Sequence, residues 1–376
     1  MKKFLIQLLL FSIPFLIILG VPSYILWKSK ENFYRIDSVI SSNEKYLIGY
    51  TYNEINYGFL KWDYLNTHEK KTVWALGSSR VLQFRKNMFD ASFYNAGYMT
   101  SKLNEFRPFL KNIPDNKLPD YIILGLDQWM FNDNWDHLNV IPDKNLWRNN
   151  FTLYPKPYPL YRTIYEDIFA GKYSFASLFE DKTSVKKIGL NAIMNDTGFR
   201  NDGSFFYGGQ IDKLIRNDST MEDFNYANTF ERIKKGEGHF EYGTFVNNKA
   251  LIELDKILAY CKLKKIRVIA ILPPFPNKIF IKLKESHHYD YMKSIYQKVK
   301  PIIDKYQYEI HDLTNISSCG SNDFETIDGF HGGEVTYQKC LLTILKSGSI
   351  LNKVATIQKL EFDLLHKKNN YTVYGY

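Results

Sequence analysis

The chain has 376 residues, enough for one large α/β domain with an insertion or for two domains. Its 45% hydrophobic and 24% charged residues match an ordinary globular core and exclude global disorder. Its net charge of +9 comes from 49 Lys and Arg against 40 Asp and Glu without a dense basic block, which favours a nearby anionic surface over a nucleic-acid groove.

The first element is an uncharged run, FLIQLLLFSIPFLIILGVPSYILW, from Phe4 to Trp27. About 20 apolar residues span a bilayer as a helix. Lys2 and Lys3 precede the run, and a short basic start stays cytoplasmic. Residues 4–27 therefore read as a single transmembrane anchor, with the remaining chain periplasmic or extracellular. A cleaved signal peptide is the alternative, but the apolar stretch is long for one. Residues 28–70 are polar and aromatic and read as a stalk or linker.

A strand–helix rhythm follows over residues 71–350. TVWALG, SFYNAG (Ser92 to Gly97) and YIILGLD (Tyr121 to Asp127) read as strands, as do RVIAILPP and YEIHDLT later. Leu103, Phe106, Leu110 and Ile113 share a helical face between the second and third strands. NNKALIELDKILAYCKLKK and GGEVTYQKCLLTILKSG read as further helices. The alternation predicts an α/β fold, a mostly parallel sheet with helices on both faces. Residues 128–245, rich in Asn, Asp, Gly, Tyr and Phe, break the rhythm and read as a large insertion or lid. Residues 351–376 read as a C-terminal helix and a polar aromatic tail.

Three cysteines allow at most one bridge, and Cys319 with Cys340 is the pair to check. No cysteine or histidine spacing is of metal-binding type, so neither metal nor cofactor is expected. His311 and Asp312 are adjacent on a strand and point to opposite faces, so they do not form a pair.

Ligands of open parallel sheets bind at the carboxyl ends of the strands. The polar residues expected there are Gly77, Ser78, Ser79 and Arg80 after the first strand, Asn95 and Gly97 after the second, Gly125 and Asp127 after the third, and Asp328 and His331 before the last helix. A hydroxyl, a base, a carboxylate to orient it and backbone donors form the set that nucleophilic acyl transfer requires. Each residue also has a plainer reading: Ser78 and Ser79 as caps of a following helix, Gly97 as a turn glycine, Asp127 as a structural carboxylate, His331 as an ordinary loop residue. Asp202, in NDGS, reads as a plain turn.

Gly77-Ser78-Ser79 resembles the first block of the GDSL or SGNH hydrolase superfamily, with Ser78 in place of the usual aspartate. Gly97 matches the second-block glycine, and Asp328-Gly-Phe-His331 matches the fifth-block DxxH. VIAILPPFP and GFRNDGSFFYG resemble a membrane-anchored branch that holds the D-alanyl-lipoteichoic acid biosynthesis protein and the alginate O-acetylation proteins. Residues 70–345 carry the resemblance. It implies a flavodoxin-like SGNH fold, Ser79 as nucleophile, His331 as base and Asp328 as its orienting acid. Ser79 N–H, Gly97 N–H and Arg80 would hold the oxyanion, with the first helix aiming its N-terminus at it. Asp127 departs from the third block, G-x-N-D, where an asparagine donates; an ionised carboxylate can only accept.

The resemblance further implies O-acylation, most simply O-acetylation, of a cell-envelope polysaccharide beside a polytopic membrane-bound O-acyltransferase. The alternatives are a membrane-anchored carbohydrate esterase and a non-catalytic partner that binds the glycan or the acyltransferase.

Overall fold

The computed structural model describes residues 2–31, 40, 44–54, 56–135, 138–139, 147, 157–172 and 185–376. The remaining parts of the expected stalk and insertion lie outside the described residues. The chain divides into two compact units, residues 1–60, 150–201 and 206–209, and residues 61–149, 202–205 and 210–376. Among the described residues the strands are β1 (Tyr46–Ile48), β2 (Val73–Gly77), β3 (Phe93–Gly97), β4 (Tyr121–Gly125), β5 (Lys186–Ile188), β6 (Thr197–Phe199), β7 (Phe205–Tyr207), β8 (Arg267–Leu272) and β9 (Glu309–Asp312). They form a mixed α/β fold with two sheets and flanking helices.

The first unit begins with a helix, Lys2–Lys28, whose apolar stretch is long enough to cross a membrane and, among the described residues, has no buried residue in its most apolar 18 positions. Its last turns differ: Ile25 and Leu26 are buried with Ile164 and Leu190. The small sheet has the order β5-β1-β6-β7, with β1 parallel to β5 and antiparallel to β6. The expected division is thereby corrected. Residues 46–48 of the presumed stalk form a central strand, paired with residues from the presumed insertion. Three-residue strands are too short to show an alternation in sequence.

Glu31 is buried in this unit and accepts hydrogen bonds from the backbone N–H groups of Thr51, Tyr52 and Leu190. Burial raises its carboxyl from 4.5 to about 7, against the pull of those donors. A raised carboxyl favours the folded state fully below 4.5, and that contribution is lost as pH rises through about 7. The first unit is expected to lose about 3 kcal/mol of stability over this window. Glu31→Gln is expected to flatten the dependence, read by hydrogen exchange of residues 46–48 and 197–199 at pH 5 and pH 7.5. An unchanged pH slope in the variant would contradict this assignment.

The second unit is built on a five-stranded, all-parallel sheet of order β3-β2-β4-β8-β9. Alternate side chains of each strand enter separate apolar clusters, as the period of two requires. Trp74, Leu76, Ile122, Leu124, Val268 and Ala270 pack with helices Leu103–Lys111, Asn248–Leu263 and Met292–Lys305. Val73, Ala75, Tyr121, Ile123, Ile269 and Ile271 pack with helices Glu334–Lys346 and Ile357–Leu365. With both faces covered, the strands read as continuous apolar runs.

The presumed lid is also split, because residues 210–245 belong to this unit and 185–201 to the first. The C-terminal tail is not loose. Glu334 accepts from Thr372 Oγ1 and from the N–H groups of Val373 and Tyr374, while Gly375 O accepts from Arg85. Asp202 is likewise more than a plain turn: buried, it receives Arg85 Nε at 3.1 Å and Lys86 N–H at 3.0 Å.

Candidate active site

The register of the large sheet brings the ends of β2 and β3 level, with Gly77 opposite Gly97. Val81 folds down over these ends, and side chains there would collide with it. A Cβ on Gly125 would lie 2.5 Å from Val81 Cγ1, and one on Gly97 would lie 2.8 Å from Val81 Cγ2. Gly77 has no positive φ; it supplies close approach to Gly125 rather than an unusual turn conformation.

The segment after Ser79 does not form the expected helix. Ser79–Val81 is a single 3-10 turn, followed by a second at Lys86–Met88. Its carbonyls are taken by other partners. Tyr337 OH donates to Arg80 O, Asn95 Nδ2 to Val81 O and Phe84 O, and Phe205 N–H to Leu82 O. An α-helix would need those acceptors for its own N–H groups four residues on, so no helix macrodipole aims at Ser79. Ser78 fulfils its plainer reading: its Oγ accepts from Arg80 N–H at 3.1 Å and caps the turn.

Ser79 is partly exposed, and its Oγ lies 2.9 Å from His331 Nε2. His331 Nδ1 lies 2.9 Å from Asp328 Oδ2. Asp328 Oδ1 also accepts the N–H groups of Phe330 at 2.7 Å and His331 at 2.6 Å, so the loop holds its own carboxylate in place. Burial pushes the Asp328 carboxyl up. The nearby His331, its hydrogen bond and those two N–H groups outweigh burial and leave it below the usual carboxylate value. With Nδ1–H given to an ionised carboxylate, Nε2 is left to accept from the Ser79 hydroxyl.

The Asp328–His331 loop is tied down by residues that the motif does not contain. Ile327 N–H donates to His331 O, and Gly329 N–H donates to Asp223 Oδ2 at 2.8 Å. Asp223 also receives both the N–H and the hydroxyl of Thr229. Tyr226 shares a hydrogen bond with Thr326 at 2.7 Å. Asp223 and Tyr226 come from the insertion. Only the aromatic and acidic richness of that segment hinted at a role.

The expected oxyanion group is not brought together as the sequence indicated. Gly97 N–H donates to Asn95 Oδ1 at 2.8 Å, and Tyr98 N–H donates to Ser78 O at 3.1 Å. Arg80 is fully buried and turned away from solvent. Its guanidinium lies 3.9 Å from the centre of the Phe275 ring and 5.1 Å from that of Phe330. Its Nη atoms donate to Gln128 Oε1 at 2.6 Å and Pro273 O at 2.9 Å. Arg80 thus joins the loops after β4 and β8, held by ring faces and carbonyl oxygens. Ser79 N–H remains as the backbone donor of the expected set.

Asp127 lies 3.4 Å from Arg80 Nη1 through one oxygen, and its other oxygen has no partner among the described residues. Burial raises its carboxyl to about 6, with Arg80, Ser78 and His331 holding it down. It is the counter-charge of Arg80. His239 stacks on Phe330 and lies against Trp129, forming an aromatic wall beside His331. Burial, Arg232, Arg80 and His331 lower its imidazole to about 4, so it is neutral near pH 7. His311 and Asp312 part as expected, since His311 faces Glu309 and Asp312 accepts from Thr314. Compared with family models, curated proteins and solved structures, the chain matches none.

Proposed function

We propose that the protein is a membrane-anchored serine acyltransferase that O-acylates, most simply O-acetylates, a cell-envelope polysaccharide. The hydrogen-bonded series Ser79–His331–Asp328 carries this reading. His331 Nε2 takes the hydroxyl proton as Ser79 Oγ attacks the acyl carbonyl. The imidazolium then gives that proton to the leaving group, and acyl-Ser79 forms. In the second half, Nε2 takes the proton of a sugar hydroxyl, the sugar oxygen attacks the acyl carbonyl, and Ser79 is released with its proton restored. Asp328 orients the imidazole and offsets its charge. Ser79 N–H is the donor assigned to the oxyanion.

The strand order β3-β2-β4-β8-β9 is the 2-1-3-4-5 order of flavodoxin-like sheets, which supports the SGNH-type reading with its site at the strand ends. The apolar helix supports a single-pass protein with a cytoplasmic N-terminus and the catalytic unit outside. A tether is expected where acyl groups are delivered at the bilayer, and a polytopic membrane-bound O-acyltransferase is the partner assigned to that delivery.

The engagement of Gly97 N–H and burial of Arg80 favour a second reading, a non-catalytic partner that retains the fold, because few oxyanion donors remain. The test is acetylation of the full chain by p-nitrophenyl acetate, followed by an oligosaccharide chase. Loss of the enzyme-bound acetyl with equal gain of acetylated sugar supports transfer. Release as acetate alone supports the esterase alternative, and no acylation supports the partner reading.

A further inference from the structure

We infer that Cys319 and Cys340 form an intramolecular disulfide that staples the segment carrying Asp328 and His331. The two Sγ atoms are 3.1 Å apart and unbonded, and both residues are buried. A disulfide bond of ~2.05 Å needs the two sulfurs about 1 Å closer than they stand. Cys261 is no rival, since it lies in the other apolar cluster of the unit. The ring that the bond closes spans 21 residue steps and contains both Asp328 and His331. Polar contacts already draw its two ends together. Ser321 Oγ is 2.9 Å from Thr336 Oγ1, and Lys339 Nζ is 2.7 Å from Glu325.

The chemistry is thiol–disulfide exchange with a disulfide carrier, a protein or small molecule of the oxidising compartment. One of the two protein thiolates attacks one carrier sulfur and releases the other as a thiol. The second, losing its proton, then displaces the carrier from the mixed disulfide. Two protein thiols and one carrier disulfide become one protein disulfide and two carrier thiols. The hydrogen bond from Cys340 holds the Cys319 thiol below its ordinary value despite burial, and Lys339 adds to this; burial raises Cys340. Because both sulfurs are buried in the folded chain, exchange occurs as the chain folds. The inference does not depend on Ser79 as a nucleophile; it rests on outward placement of the second unit.

The full chain is trapped in cells with acid, denatured, alkylated, and mapped with and without prior reduction. One alkylated cysteine before reduction, Cys261, and three after it, with a linked Cys319–Cys340 peptide pair, is the expected result. Three alkylated cysteines before reduction would overturn the inference. Reductant is expected to lower the melting temperature of the purified chain by roughly 5–10 °C. The Cys319→Ser/Cys340→Ser double variant is expected to melt like the reduced wild type and to ignore reductant. An equal response to reductant in that variant would also overturn it.

Discussion

Asp328→Asn is expected to slow acylation of Ser79 by about 10⁴-fold, close to 5.5 kcal/mol of barrier, while leaving the loop folded. An asparagine Oδ1 can still accept the N–H groups of Phe330 and His331, so the turn keeps its two backbone bonds. That Oδ1, 3.1 Å from His331 Nδ1, is already taken by the two N–H groups, and Nδ2, in the place of Oδ2 at 2.9 Å, cannot accept from Nδ1. It donates instead, which places the imidazole proton on Nε2 and removes the acceptor that faces Ser79. His331→Ala removes the base altogether and is expected to cost at least as much. Initial rates with p-nitrophenyl acetate check both variants, with thermal melting as the control for folding. A tenfold effect or less in a folded Asp328→Asn chain would mean that the carboxylate does not govern the imidazole.

Arg85 carries the second large effect, on stability. It is buried between Asp202 and Glu334, and each carboxylate also accepts backbone N–H groups. Burial alone would lower the guanidinium, but the two carboxylates raise it above its ordinary value. Arg85→Ala leaves both anions buried without that cation and is expected to cost about 3–5 kcal/mol. Glu334 begins the helix that follows His331, so the loss spreads to the site. Removing residues 372–376 is expected to destabilise in the same direction, because Thr372, Val373 and Tyr374 satisfy Glu334. Urea unfolding of the full chain checks both changes. An unchanged midpoint in Arg85→Ala would contradict the stabilising role of the buried ion pairs, and one in the truncated chain would contradict a structural role for the tail.

Much of the second unit was legible in the chain. The runs that end at Gly77, Gly97, Gly125 and Leu272 are apolar because both faces of their sheet are covered, and their order with the helices leads to a parallel sheet. Asp328 and His331 are three residues apart on one self-bonded turn, so their pairing was legible locally. Their meeting with Ser79, 252 positions away, followed only from the strand-end rule.

The misreadings share a cause. Each depends on partners that are remote in sequence. Tyr337, Asn95 and Phe205 take the carbonyls that would have made a helix after Ser79. Asn95 occupies the Gly97 N–H, and the aromatic cage turns Arg80 inward. The same holds for β1, whose three residues gain strand character only from β5 and β6. Asp223 and Tyr226 gain their roles only from the loop that they hold.

The most direct measurement is intact-mass spectrometry of the full chain in detergent after incubation with p-nitrophenyl acetate, beside Ser79→Ala. One acetyl adduct, mapped to Ser79 and absent from the variant, is expected. An equal adduct on Ser79→Ala, or none on a folded wild-type chain, would contradict Ser79 as the nucleophile.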